Sequence, residues 1–253
     1  NNKKIPRKPS IFLTFDDGYM DHYKYVFPYL VKKKISASFY PPINAIENKI
    51  VLDVNKIHFI LEKVKNHKKV LREIDNYLIK SNLKPLSKHN LSKINLVDSY
   101  DNKETVLVKR LLQFYFPLKL RENICNFLFK KFLNKDLRDF SKELYMNKKQ
   151  ILEMNKYKMN FGSHGVNHFW WKYLNKYKQE KEIKESLNYF KKINVDTENF
   201  SVCYPYGSYN LNTISLLKKY KVKFALTTKV GDVNIKNLNK NFAFPRFDTN
   251  DFR

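Results

Sequence analysis

The sequence is poor in cysteine, in acidic residues and in long apolar runs, and each shortage excludes something. Its 253 residues contain two cysteines, Cys125 and Cys203. Two are too few for a disulfide framework or a Cys-rich zinc site, and they fit a reducing compartment. No stretch approaches the roughly 18 consecutive apolar residues of a membrane-spanning helix. Residues 1–10 lack the apolar segment of a secretory leader, although the chain opens at Asn rather than Met. A cytoplasmic location with some membrane association is therefore expected, and secretion is the alternative. Acidic residues number 24 against 49 basic ones, a net charge of +25. That excess points to an anionic partner: nucleic acid, acidic lipid or acidic glycan. Residues 53–150 hold 22 basic and 11 acidic residues, a density close to that of the whole chain. A nucleic-acid footprint is a stripe or patch, so the even spread argues against nucleic acid as the partner. The abundance of Lys, Asn and Ile is also what AT-rich coding would produce.

Aromatic residues are plentiful, with 20 Phe and 17 Tyr. Such a chain can bury a real core, which excludes global disorder. Residues 11–15, Ile-Phe-Leu-Thr-Phe, read as a buried strand ending at Asp16-Asp17-Gly18. Residues 22–34 read as a helix with Pro28 marking a kink or a late start. Residues 35–40 read as a second strand, completing a unit of the kind that builds parallel sheets. The middle, from about 54 to 145, carries only helical faces, such as Ile57, Ile60 and Leu61, or Ile124, Phe127 and Leu128. A weakly structured stretch lies near 81–101. Strands then return at 159–162, 200–204, 222–227 and 241–247, with helices at 178–192 and after Asn210 or Asn212. The pattern is α/β: one domain over residues 1–253 with a helical insertion at about 54–145.

Three strand exits carry the chemistry. Thr14-Phe15-Asp16-Asp17-Gly18 puts two adjacent carboxylates where α/β folds place their sites. A metal, a base role or solvent must offset their repulsion. His164 and His168 stand four apart, so one helical turn would turn both imidazoles to one side, as zinc and similar ions require. Cys203-Tyr204-Pro205-Tyr206-Gly207 bends the chain at a third exit.

Together these exits resemble the polysaccharide deacetylases, the NodB-homology domains of carbohydrate esterase family 4. Thr-Phe-Asp-Asp-Gly matches the family's first motif in full. Ser163 to His168 fits the second, and Tyr204-Pro205-Tyr206-Gly207 resembles the third in its Tyr-Pro branch. The resemblance covers about 10–45 and 147–247. It implies a distorted (β/α) barrel, opened by the helical insertion, that removes N-acetyl groups from a sugar or glycan. A role in surface polysaccharide synthesis fits, and an anionic or membrane-linked substrate would suit the charge. It also implies one divalent metal, zinc first, with cobalt, nickel or manganese as alternatives. Asp17, His164 and His168 would hold that metal, and Asp16 would be the general base. The backbone N–H of Tyr206 would meet the oxyanion, with Tyr204 and Trp170 as further substrate contacts.

Two departures stand out. Cys203 occupies the place where many members carry an arginine that orients the base. No histidine follows His168, so the Leu-x-His that supplies the acid elsewhere is absent. Arg246, in Phe244-Pro245-Arg246-Phe247, could bind the oxyanion or an anionic substrate group, orient Asp16, or form a surface ion pair. His58 is the preferred proton donor and His22 the alternative. The missing acid also keeps open a catalytically impaired carbohydrate-binding protein on the same fold. A glycosidase fits poorly, since adjacent carboxylates cannot straddle a sugar at about 5–10 Å.

Overall fold

The computed structural model describes residues 10–96, 101–233 and 241–252. The chain divides into two compact units, residues 1–50 with 141–253, and residues 51–140. The first unit opens with β1 (Thr14–Asp16) and β2 (Ser38–Tyr40), paired in parallel with Asp16 opposite Tyr40. Both are shorter than predicted, because Ile11 and Phe12 are exposed and stay outside the sheet. Alternation sorts the side chains. Phe15 stacks on Phe39 with ring centroids 5.0 Å apart on one face, while Asp16 and Tyr40 point from the other. The helix predicted over 22–34 is two pieces: a π-type turn, His22–Val26, then α1 (Phe27–Lys33). Pro28 sits in the first turn of α1, where a missing N–H breaks no helical bond. The short α2 (Ile43–Ile46) follows Pro41-Pro42.

The second unit is built from α3 (Asp53–Lys63), α4 (His67–Lys80), α5 (Lys103–Arg110) and α6 (Leu118–Leu133), and α7 (Leu137–Leu144) leads out of it. Among its described residues there is no strand. Its helices bury the periodic faces read from the sequence, including Ile57, Ile60, Ile74, Leu78, Ile124 and Leu128. Between α4 and α5 the chain makes two short 3-10 turns, Leu86–Lys88 and Leu91–Lys93, and residues 97–100 lie outside the described set.

The first unit resumes with α8 (Lys148–Lys156), β3 (Asn160–Phe161), α9 (Lys176–Lys192), β4 (Val202–Cys203), α10 (Leu211–Lys219) and β5 (Ala225–Leu226). Asparagine side chains cap the starts of these helices. Asn147 and Asn210 form reciprocal capping boxes, and Asn175 accepts from the Lys178 N–H. β1, β2 and β3 form one parallel sheet and β4 and β5 a second. A parallel bridge from Ser163 to Val202 joins them. The pairings therefore follow chain order, as in a singly wound fold, but no closed barrel forms among the described residues. The strand predicted over 241–247 reduces to one bridge, Phe244 to Leu226. Pro245 has no N–H with which to extend that ladder. No described helix is long and apolar enough to cross a membrane.

Candidate active site

Asp16 ends β1 in the ordinary extended form, whereas Asp17 has a left-handed backbone, φ +68°. This twist sends the neighbouring carboxylates to different partners. Asp16 meets Arg246 in a two-pronged pair, with Nη1 to Oδ1 at 3.1 Å and Nη2 to Oδ2 at 2.8 Å. Arg246 is itself fixed, donating from Nε to the Thr227 carbonyl at 3.1 Å and from Nη1 to Thr14 Oγ1 at 3.2 Å. The Cys203 thiol donates to Asp16 Oδ2 at 3.3 Å. Burial and the carboxylate beside it push that thiol well above its usual range, so it stays protonated. Burial alone would raise the Asp16 carboxyl. His164 and the Arg246 guanidinium outweigh it and hold the group at about 2. Of the alternatives the sequence left for Arg246, the contacts match the one in which it orients Asp16.

Asp17 accepts from the Tyr19 hydroxyl through Oδ2 at 3.0 Å. Its Oδ1 is buried with no hydrogen-bond partner. Towards that oxygen point Nε2 of His164, at 3.6 Å, and Nε2 of His168, at 3.4 Å. Both separations are too long for hydrogen bonds. They match the edge of about 3.4 Å of a tetrahedral site with bonds near 2.1 Å. Nδ1 of His164 lies 2.7 Å from the Cys203 carbonyl. A carbonyl only accepts, so Nδ1 carries a proton and Nε2 is the nitrogen turned toward Asp17. Burial, reinforced by His164, brings the His168 imidazole down to about 4, so it is neutral and able to ligate near pH 7. An orphaned carboxylate oxygen and two convergent imidazole nitrogens fit a divalent cation. Asp16, His164 and Cys203 also lie close enough to form such a group, but Arg246 already engages both Asp16 oxygens.

The histidine pair is not on a helix, contrary to the reading of its spacing. It sits on a loop after β3 in which Gly165 has φ +77° and His168 φ +57°. The loop is held from two sides. Ile43 and Asn44 at the start of α2 donate their N–H groups to the carbonyls of Gly165 and Val166, at 3.2 and 3.0 Å. Glu182 of α9, itself buried, accepts from the N–H groups of Val166 and Asn167 at 2.7 and 3.0 Å and from Asn167 Nδ2 at 2.6 Å. Gly165 has no room for a side chain, since a Cβ would lie 2.7 Å from Glu182 Oε2.

At the third exit, Tyr206 has φ +57° and its ring centroid lies 4.6 Å from that of His168. Trp170 stacks on Tyr206 at 4.8 Å, so these two rings extend from the histidines. Tyr204 does not. It is buried, packs edge-on against Trp171 and gives its hydroxyl to the Phe242 carbonyl at 2.9 Å, which makes it a core residue. His58, the donor preferred from the sequence, is exposed on α3 of the other unit. His22 packs against Phe15 and Phe39, on the face of the sheet opposite Asp16. Sequence reasoning missed Tyr19 and Glu182. Tyr19 had a signal, being two residues past Asp17; Glu182 had none beyond its place on the inner face of α9.

The polysaccharide deacetylase family profile matches residues 3–77 and 126–225, well over half of the chain. The match reaches further into the middle than the motifs do and leaves 78–125 outside. No curated protein matches the chain in a sequence search. Among solved structures, the Streptococcus pyogenes deacetylase PplD in complex with acetate is similar over 97% of this chain and 66% of its own, with TM-score 0.52 and 19% identity. The deacetylase domain of BpsB from Bordetella bronchiseptica is similar over 93% of this chain and 69% of its own, with TM-score 0.50 and 16% identity. The chain thus spans about two thirds of the length of these structures, and at such identities they speak for the fold alone. With the profile match laid over the same three strand exits, the chain belongs to the polysaccharide deacetylase family.

Proposed function

We propose that this protein is a metal-dependent N-deacetylase that hydrolyses the acetamide of an N-acetylated sugar within a surface polysaccharide. One observation carries the metal dependence: the buried, unpartnered Oδ1 of Asp17 facing two imidazole nitrogens. Asp17, His164 and His168 would hold the ion, zinc first among the candidates. When bound, a divalent ion there supplies Lewis acidity toward a water and the acetyl carbonyl.

The remaining chemistry belongs to the chain. Asp16 is the general base and takes a proton from the attacking water, whose oxygen bonds to the acetyl carbon. Arg246 fixes the carboxylate and keeps it ionised. The Tyr206 N–H meets the oxyanion. The C–N bond then breaks, and the amine nitrogen needs a proton as acetate leaves. His22 is packed behind the sheet. The economical donor is Asp16 itself, returning the proton it accepted. A carboxylic acid pressed against Arg246 is a strong acid and gives up that proton readily. Trp170 and Tyr206 offer ring faces to the sugar. The distorted barrel is proposed for residues 1–50 with 141–253, interrupted by the helical unit.

The test pairs elemental analysis with acetate release from N-acetylglucosamine oligomers and polymers. The wild type should retain about one divalent ion per chain and release acetate, and His164→Ala should do neither. No ion in the wild type after incubation with zinc or cobalt would overturn the proposal. An ion with sugar binding but no acetate release would favour the carbohydrate-binding alternative, which the missing histidine donor supports.

A further inference from the structure

The lysines that are scattered along the sequence are gathered by the fold of the first unit. In a parallel sheet, every segment that enters a strand lies along one edge. The hydrogen bonds show it here: Ser38 N–H to the Leu13 carbonyl, Asn160 N–H to that of Ala37, and Lys223 N–H to that of Phe200. The four turns that run from a helix into β2, β3, β4 and β5 therefore share the edge opposite the candidate active site.

These turns, taken with the last helical residues before them, are rich in lysine. The turn from α1 carries Lys32, Lys33 and Lys34, and the turn from α8 carries Lys156 and Lys158. The turn from α9 carries Lys191 and Lys192. The turn from α10 carries Lys218, Lys219, Lys221 and Lys223. All eleven are exposed, there is no arginine among them, and the acidic residues within these segments are Asp196 and Glu198. Lys219 pairs with Glu180, and Lys33 lies over the Tyr29 ring. The other nine have no ion pair among the described residues.

Cations in the last turn of a helix are accounted for by the helix dipole. Lys34, Lys158 and Lys221 are not, because they stand past the helix ends. Each adopts a left-handed backbone, with φ +56°, +63° and +55°, at the position where glycine is the ordinary occupant. Three times the chain places a charge where glycine would cost less. Two of these turns also expose an apolar side chain beside the lysines, Ile35 at 41% and Tyr157 at 54%.

We propose that this lysine edge docks on an anionic lipid surface. Compact, hydrated ammonium groups suit a diffuse field of headgroups, whereas nucleic-acid recognition favours the forked guanidinium of arginine. Exposed Ile and Tyr among lysines are the pattern of an interfacial contact. Docking by this edge turns the candidate active site, at the other ends of the same strands, away from the lipid. The inference does not depend on the proposed reaction.

The test is sedimentation of the full chain with phosphatidylcholine vesicles, with and without phosphatidylglycerol. The wild type should bind only the anionic vesicles and release them at high salt. Reversing Lys34, Lys158, Lys221 and Lys223 to Glu should lower partitioning at least about fivefold for each lysine that reaches the surface. Reversing Lys84, Lys88, Lys103 and Lys130 of the other unit makes the same change in net charge and should lower it far less. A third variant, Lys34→Gly with Lys158→Gly and Lys221→Gly, removes charge while easing the backbone. It should lose binding at unchanged or higher Tm. Absence of wild-type binding, equal loss in both reversals, or loss of DNA binding alone in the edge variant would each overturn the proposal.

Discussion

Asp16 and Arg246 are 230 residues apart, and their pairing is the clearest consequence of single side chains meeting. The carboxylate is depressed to about 2, so its contribution to stability is complete above the unfolded value near 4 and is lost as pH falls through 2. Between pH 5 and 8 the wild-type base is therefore always ionised and sets no acid limb. In Arg246→Ala, burial of Asp16 loses one of its two counterweights, leaving His164, and the pKa moves up. The expected outcome is a fall in kcat/KM for acetate release of about 10²-fold or more at pH 7, with an acid limb entering the measured range and recovery at higher pH. If an arginine at the position of Cys203 can orient the base, as the family resemblance implies, adding Cys203→Arg should restore part of the lost activity. A uniform loss across pH, with no rescue, would mean that Arg246 serves the fold alone. The sequence showed that an arginine was missing from one place. It left Arg246 several roles, because no local pattern reports which distant segment returns to β1.

At the level of elements, the two histidines were legible and their support was not. A spacing of four suggests a helical turn, but a loop with left-handed residues at both Gly165 and His168 achieves the same convergence. Its shape is set by Glu182 and the start of α2, neither of which the motif contains. Glu182→Ala would leave two N–H groups and the Asn167 amide without their acceptor, at a cost of about 2–4 kcal/mol. Metal affinity should fall about tenfold or more through misplacement of His168. Gly165→Ala should resemble it, since the new methyl meets Glu182 and the backbone has φ +77°. Titrating zinc into each variant while following Tm separates the effects. Lower stability with unchanged zinc affinity would reduce Glu182 to a packing role. The strands show the same limit of legibility. Their positions follow from β-branched and aromatic runs, but only two or three residues of each pair, because exposed Ile11 and Phe12 at one end and Pro245 at the other lie outside the ladders.

For the whole molecule, helices and strands alternate as the apolar periodicity suggested, and the helical middle forms a compact unit of its own. Periodicity could not reveal that the parallel pairings among the described residues stop short of a closed barrel, because closure depends on backbone contacts between distant segments. Among the described residues the first unit therefore has two short sheets joined by the bridge from Ser163 to Val202. A cation at the candidate site would add a link between residues that leave β1 and β3. Anything that binds the folded state alone raises its stability, by about 2.7 kcal/mol when present at a hundred times its dissociation constant. For a protein of this size that corresponds to a rise in Tm of about 5–10 °C. Asp17→Asn is the informative control, because asparagine accepts the left-handed backbone at that position while losing the carboxylate. Zinc should raise the Tm of the wild type by that amount and leave Asp17→Asn nearly unmoved, and a chelator should reverse the gain. An equal rise in both proteins would place the binding elsewhere, on surface histidines, and would sever the link between the three strand exits and a metal.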